Sequence, residues 1–129
     1  MSWVVDASAL VEVLLRTETG QSVAELIDED EMHAPDIVNA EVLSTLRRLV
    51  RIGTLEPTRA ETAVERLSRA PVERASTDTL IADVWSLRDQ LTPYDACYVA
   101  LARSLGCAIV TCDNRMSRAP GLGVPIVAL

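Results

Sequence analysis

The sequence predicts a three-layer α/β/α sandwich built around a central, mostly parallel β-sheet. Segments with a strand pattern alternate with segments of helical periodicity along the chain, as in α/β folds. Several predicted strands are purely apolar, which is typical of parallel strands covered by helices on both faces. The chain has 129 residues, 49% of them hydrophobic, enough for the core of one domain. Residues 1–129 are therefore expected to form a single domain.

The first predicted strand, residues 3–5, is a short apolar run that ends at Asp6. Apolar residues at helical spacing then predict a helix over 7–15. Gly20 interrupts this pattern, so the next helix is expected to cover only 22–27. The acidic run that follows it is expected to be a solvated loop.

A second strand over 32–34 precedes the clearest helical pattern in the chain. That helix is predicted over 36–52, with apolar residues on one face, Asp36 as its N-cap and Gly53 after its end. A proline at a favoured first helical position predicts the next helix, over 57–70.

The second half of the chain repeats the alternation. Thr92-Pro93-Tyr94-Asp95 has the layout of a helix start, with threonine as N-cap, proline first and aspartate third. The pattern predicts, in order, a weak strand over 71–74, helices over 77–91 and 92–104, a buried strand over 107–111 and an edge strand over 124–127.

The composition excludes several kinds of active site. All twelve basic residues are arginine, so a Walker-type phosphate loop and a Schiff-base enzyme cannot be built. The chain has one histidine, His33, and no G-x-S-x-G motif, which argues against a serine hydrolase. The net charge of −7 argues against a passive nucleic-acid binder. Any contact with nucleic acid is therefore expected to be local or mediated by a metal.

The cysteines and the amino terminus indicate a cytoplasmic protein. Cys97, Cys107 and Cys112 are odd in number and form no C-x-x-C pair, which argues against a disulfide framework and a zinc site. The amino terminus lacks the basic region of a secretory signal. No apolar segment approaches the roughly 20 residues that a membrane span requires.

Three aspartates are predicted to meet at one edge of the sheet. Asp6 ends the first strand, Asp113 follows the strand over 107–111, and Asp95 lies in the first turn of the helix that leads into that strand. Ligands of open parallel sheets bind outside the carboxyl ends of the strands. Crowded carboxylates repel each other unless a cation is present, and oxygen ligands favour Mg²⁺ or Mn²⁺.

Each of these acidic residues also has an ordinary structural explanation. Asp6 suits a helix cap, Asp95 a capping box with Thr92, and Asp113 a turn. Glu41 falls at the polar margin of the long helix, where a solvated glutamate is common. Spacing alone does not select it.

Four segments in this order resemble one family. V-V-D-A-S, A-E-V, Y-D-A-C-Y-V-A-L-A and I-V-T-C-D begin at Val4, Ala40, Tyr94 and Ile109. Together they are similar to PIN-domain nucleases. The short chain, P-D-I-V-N-A-E-V and L-R-R-L-V-R more narrowly resemble the VapC toxins of bacterial toxin–antitoxin pairs.

The resemblance implies a PIN-like fold and a metal-dependent endoribonuclease that leaves a 5′-phosphate and a 3′-hydroxyl. The acidic quartet of the family, which binds the metal and performs catalysis, matches Asp6, Glu41, Asp95 and Asp113. Ser8 and Thr111 match hydroxyls that support this quartet. The expected cofactor is Mg²⁺, with Mn²⁺ as a substitute.

The resemblance also implies partners: an RNA substrate, a cognate VapB-like antitoxin and a second copy in a homodimer. Arg47, Arg48 and Arg51 lie on the helix that carries Glu41, and we expect them to contact substrate phosphates. A solvated helix face or a partner contact explains these arginines equally well. The alternative function is an inactive PIN-like module that acts only through protein–protein binding.

Overall fold

The computed structural model describes all residues, 1–129, as five strands and seven helices. The strands are β1 (Ser2–Val5), β2 (Glu31–Pro35), β3 (Val72–Ala75), β4 (Ala108–Thr111) and β5 (Ile126–Ala128). The helices are α1 (Ala7–Leu15), α2 (Glu18–Ile27), α3 (Val38–Arg51), α4 (Pro57–Arg69), α5 (Ile81–Ser86), α6 (Pro93–Leu105) and α7 (Asn114–Arg118).

All neighbouring strands of the single sheet are parallel, in the order β3-β2-β1-β4-β5. The chain first builds the sheet outward from β1 through β2 to β3, and then returns to add β4 and β5 on the other side. The strand order therefore reverses between β1 and β4. Open α/β sheets bind ligands at such a reversal, beyond the carboxyl ends of the strands.

The core lies around the two central strands. Val4, Val5, Ile109 and Val110 are fully buried, because both faces of β1 and β4 are covered. Helix α1 packs on α2, α3 and α4, whereas α6 packs on β1, β2, β4 and α5. The predicted α/β/α architecture is confirmed. No helix in the chain combines the length and the apolar character needed to cross a bilayer.

The predicted start of α2 is wrong. Thr17 is the N-cap and its Oγ1 accepts the backbone N–H of Gly20 at 3.0 Å, so Gly20 lies in the first turn of the helix. The glycine is buried where α1 and α2 approach each other. A glycine at this position marks close packing of two backbones and not a break between helices.

Two further helices differ from the sequence-based expectation. The predicted helix over 77–91 is reduced to α5, because the Ser76 hydroxyl accepts the N–H of Asp78 and bends the chain before it. Turns with (i, i+3) hydrogen bonds follow α5. Asp36 is not an N-cap: its N–H donates to the Ala75 carbonyl at 2.8 Å and continues the pairing of β2 with β3.

Candidate active site

The two central strands bring Asp6 and Asp113 to the same edge of the sheet. Asp6 follows β1, and its backbone N–H donates to the Val110 carbonyl in β4 at 3.0 Å. Asp113 is separated from the end of β4 by one residue, Cys112, and is the N-cap of α7. Its Oδ1 accepts the N–H of Arg115 at 2.9 Å. The two carboxylates therefore flank the point where the strand order reverses.

Asp6 is held by hydrogen bonds from two hydroxyl groups. The hydroxyls of Ser8 and Thr111 both donate to Asp6 Oδ2, each at 2.7 Å. In turn, Ser8 Oγ accepts the N–H of Cys112 and Thr111 Oγ1 accepts that of Asp113, each at 3.0 Å. Asp6 and Thr111 are the polar residues buried in the fold, and they contact each other. A buried carboxylate is costly, so such a network points to a role beyond packing.

Glu41 reaches the same edge from α3. Tyr98, fully buried on α6, donates its hydroxyl to Glu41 Oε1 at 2.6 Å. The contact joins two helices 57 residues apart in sequence and fixes the direction of the glutamate side chain. Burial and the bond to Glu41 raise the pKa of Tyr98, so the phenol keeps its proton and remains a donor.

Asp95 is positioned by the cap of α6. Thr92 is the N-cap, Pro93 the first helical residue, and Thr92 Oγ1 accepts the backbone N–H of Asp95 at 3.3 Å. The predicted helix start is therefore correct. The cap at Thr92 and the ring of Pro93 fix the backbone of this turn. The Asp95 carboxylate therefore projects from a rigid first turn of the helix.

Asp113 differs from the other carboxylates because Arg115 neutralises it. Arg115 Nε donates to Asp113 Oδ2 at 2.8 Å, and a second guanidinium nitrogen donates to the same oxygen. This pairing lowers the pKa of Asp113. Arg115 is thus the cation nearest to the acidic groups.

All four carboxylates line one cleft of about 750 Å³. Burial raises the pKa values of Glu41 and Asp95, and the charge of Asp6 raises both further. Arg115 opposes the rise at Asp95 and the Tyr98 hydrogen bond opposes it at Glu41, yet both pKa values remain above their ordinary range. The cleft is lined by five carboxylates and two arginines, so it carries more negative charge than its own cations balance.

The donor atoms in the cleft suit a hard, hydrated cation. Asp6 Oδ1 and Glu41 Oε2 accept no hydrogen bond in the structure, and no polar side-chain atom is buried without a partner. No three acidic, histidine or cysteine side chains already form a metal-binding group. Mg²⁺ does not need such a cage, because it keeps several waters and binds proteins through one or two carboxylates. The residues present therefore fit Mg²⁺.

The structure separates the three arginines expected to contact substrate. Arg48 lines the cleft, whereas Arg47 and Arg51 line a groove between α3 and α4. Sequence reasoning also missed two residues of the site. Tyr98 stands three residues after Asp95, on the same helical face, which was a usable signal. Arg115 lies in helix α7, which the sequence did not predict, and no sequence signal pointed to this arginine.

The chain matches the PIN domain model over residues 3–122. It is similar to the ribonuclease VapC3 of Mycobacterium tuberculosis, with 43% identity over 117 residues that cover 90% of this chain and 85% of the relative. The match spans the segments that carry all four carboxylates.

Two solved structures share the fold. One is PAE2754 from Pyrobaculum aerophilum, with a TM-score of 0.73, 20% identity, and coverage of 98% of this chain and 84% of that one. The other is VapBC2 from Rickettsia felis bound to a DNA fragment from their promoter, with a TM-score of 0.70, 12% identity, and coverage of 99% and 98%. The chain therefore belongs to the PIN domain family and, within it, to the VapC ribonucleases.

Proposed function

We propose that this chain is a Mg²⁺-dependent endoribonuclease and the toxin of a toxin–antitoxin pair. The observation that carries the proposal is the convergence of Asp6, Glu41, Asp95 and Asp113, from four separate elements, on one cleft. The relatives named as VapC ribonucleases support the activity and the substrate class. An inactive binding module has no need for this electrostatically costly cluster.

The chain supplies the ligands and holds them in place. Asp6, Glu41 and Asp95 would hold Mg²⁺, one or two of them directly and the rest through its bound waters, and Asp6 Oδ1 and Glu41 Oε2 accept no hydrogen bond from the protein. Ser8 and Thr111 hold Asp6, and Tyr98 orients Glu41. Asp113, paired with Arg115, completes the acidic wall of the cleft. When bound, Mg²⁺ would lower the pKa of a water molecule and stabilise charge on the scissile phosphate.

Metal removal tests this function. The purified chain, free of any antitoxin, is expected to cleave single-stranded RNA with Mg²⁺ or Mn²⁺ and to lose the activity in EDTA. Cleavage is followed by gel electrophoresis of labelled RNA. Because Glu41 and Asp95 must be deprotonated to bind the metal and their pKa values are raised, the Mg²⁺ requirement is expected to increase as the pH falls. Cleavage that persists in EDTA would contradict the mechanism.

We propose that Arg48 contacts a phosphate of the RNA. It lines the cleft and its side chain makes no hydrogen bond or ion pair, so its guanidinium is free. Arg48→Ala is expected to weaken RNA binding and to reduce the slope of log affinity against log salt by about 0.7, the value for one contact on a single strand.

Neighbouring arginines on α3 provide matched controls for Arg48. Arg47→Ala and Arg51→Ala remove the same charge from the same helix but outside the cleft. They are expected to leave the salt slope nearly unchanged. Equal slopes for all three variants would show that the general charge of the protein, and not a contact at Arg48, governs the affinity.

We also propose partners for this chain. The VapBC2 complex supports a VapB-like antitoxin as the partner of this chain. We also propose a homodimer that acts in the cytoplasm, which suits the three free cysteines. Co-purification with the product of a neighbouring small reading frame tests the antitoxin, and light scattering of the isolated chain tests the dimer.

A further inference from the structure

Tyr94 is an exposed aromatic residue in the proposed active-site cleft. The residue is 63% exposed, it lines the cleft with Asp95, and its hydroxyl makes no hydrogen bond. Tyr98, one turn later on α6, is fully buried and hydrogen-bonded. Of the two tyrosines on this helix, one is therefore built into the fold and the other has a ring face free for a ligand.

The backbone that carries Tyr94 is fixed before any ligand binds. Pro93 precedes it at the first helical position, Thr92 caps the helix, and Asp95 follows it. A ring on such a rigid turn loses little conformational entropy on binding. Because Tyr94 and the four carboxylates line the same cleft, a nucleotide whose phosphate lies at the carboxylates has its base within reach of this ring.

The acidic composition of the chain favours a source of RNA affinity that does not depend on charge, such as base stacking. The chain has four aromatic residues and a net charge of −7. Attraction for phosphates, the usual source of affinity for nucleic acid, is consequently weak over most of the surface. Stacking of bases on aromatic side chains is independent of charge and tolerant of sequence, because every base has a π-face.

We propose that the ring of Tyr94 stacks on a base of single-stranded RNA next to the phosphodiester that is cleaved, which rests on the proposed ribonuclease function. Arg48, whose side chain has no protein partner, lies in the same cleft and supplies positive charge for an adjoining phosphate. Tyr94 holds the strand in register through the base. It is a substrate-positioning residue and takes no part in proton transfer.

The first test compares cleavage of a single-stranded RNA that the wild-type chain cuts at one position. Tyr94→Ala is expected to lower kcat/KM by about 5- to 150-fold, the range for loss of one stacked base, mainly through a higher KM. Tyr94→Phe keeps the ring and is expected to match the wild type. Trp85→Ala is the matched control, because Trp85 is 65% exposed but does not line the cleft. It is expected to leave both constants unchanged.

A double-mutant cycle identifies the base. Single abasic sites are placed in turn along the same RNA, and each substrate is cleaved by the wild type and by Tyr94→Ala. At the stacked position, removal of the base is expected to reproduce the loss caused by Tyr94→Ala, and the two changes together are expected to cost no more than either alone. A ring with only a structural role cannot produce such coupling.

The outcomes separate this inference from the function on which it rests. If the wild type cleaves RNA but Tyr94→Ala has the same kcat/KM, the stacking proposal is overturned. If Tyr94→Ala leaves cleavage intact and weakens the antitoxin complex, the ring contacts protein and the proposal is likewise overturned. If the wild type neither binds nor cleaves RNA with Mg²⁺, the ribonuclease function itself is wrong.

Discussion

Asp6→Asn is expected to reduce RNA cleavage by at least about 10²–10³-fold, the cost of removing one group that stabilises the transition state. The substitution keeps the shape of the side chain. The carbonyl oxygen of asparagine can accept the same two hydroxyl protons, from Ser8 and Thr111, that Asp6 Oδ2 accepts. Its amide nitrogen then replaces Oδ1, which has no protein donor. A cation ligand becomes a hydrogen-bond donor, and kcat in saturating Mg²⁺ measures the loss.

An acidic residue outside the cleft controls for the change in net charge. Asp89 is exposed, does not line the cleft and makes no ion pair. Asp89→Asn removes the same charge and is expected to leave kcat unchanged. Full activity in Asp6→Asn, with unchanged secondary structure, would rule out Asp6 as a metal ligand and with it the proposed arrangement of the site.

The companion variant Asp95→Asn shows whether the ionised Asp95 carboxylate destabilises the fold in the absence of metal. The pKa of Asp95 is raised by burial and by Asp6 and Asp113, so the folded state binds its proton more tightly than the unfolded chain does. The ionised side chain therefore destabilises the fold near neutral pH, and this penalty disappears as the pH falls through the folded-state pKa. Without divalent ions, Asp95→Asn should melt no lower than the wild type near neutral pH, and added Mg²⁺ should stabilise it less.

The sequence could indicate three of the four carboxylates because each one stands at a local signal. Asp6 and Asp113 follow apolar strands, and Asp95 is the third residue of a helix with a threonine cap. A strand end in a parallel sheet has a known direction, so these signals also predict an edge of the sheet. Glu41 has no such signal. Its place in the cleft depends on how α3 packs, and only the family resemblance selected it.

The features that the sequence did not reveal depend on contacts between distant or competing elements. Tyr98 contacts a residue 57 positions away, and this partner cannot be found from spacing within one helix. Arg115 needs the short helix α7 to turn back toward Asp113. Arg47, Arg48 and Arg51 look equivalent in sequence, but the packing of α4 on α3 places two of them outside the cleft. Tertiary structure decided each of these cases.

Gly20→Ala is expected to destabilise the fold by about 3 kcal/mol or more, the upper end of the usual cost of overpacking. A Cβ atom at this position would lie 2.0 Å from the Glu12 carbonyl oxygen and 2.5 Å from its carbon. Both are backbone atoms of α1 and cannot rotate away. We expect the melting temperature to fall by roughly 10 °C, as measured by circular dichroism.

Helix propensity predicts the opposite sign for the same substitution, and this contrast makes the test decisive. Alanine in place of glycine within a helix normally stabilises it by about 1 kcal/mol. Gly53 provides the control, because its φ of +80° disfavours alanine while a Cβ there would meet nothing within 4 Å. Gly53→Ala is expected to cost about 1–2 kcal/mol, from backbone conformation alone. A larger loss at Gly20 than at Gly53 isolates steric contact between α1 and α2 as the cause, whereas a Gly20→Ala protein that melts at or above the wild type would mean that the two helices do not pack this closely.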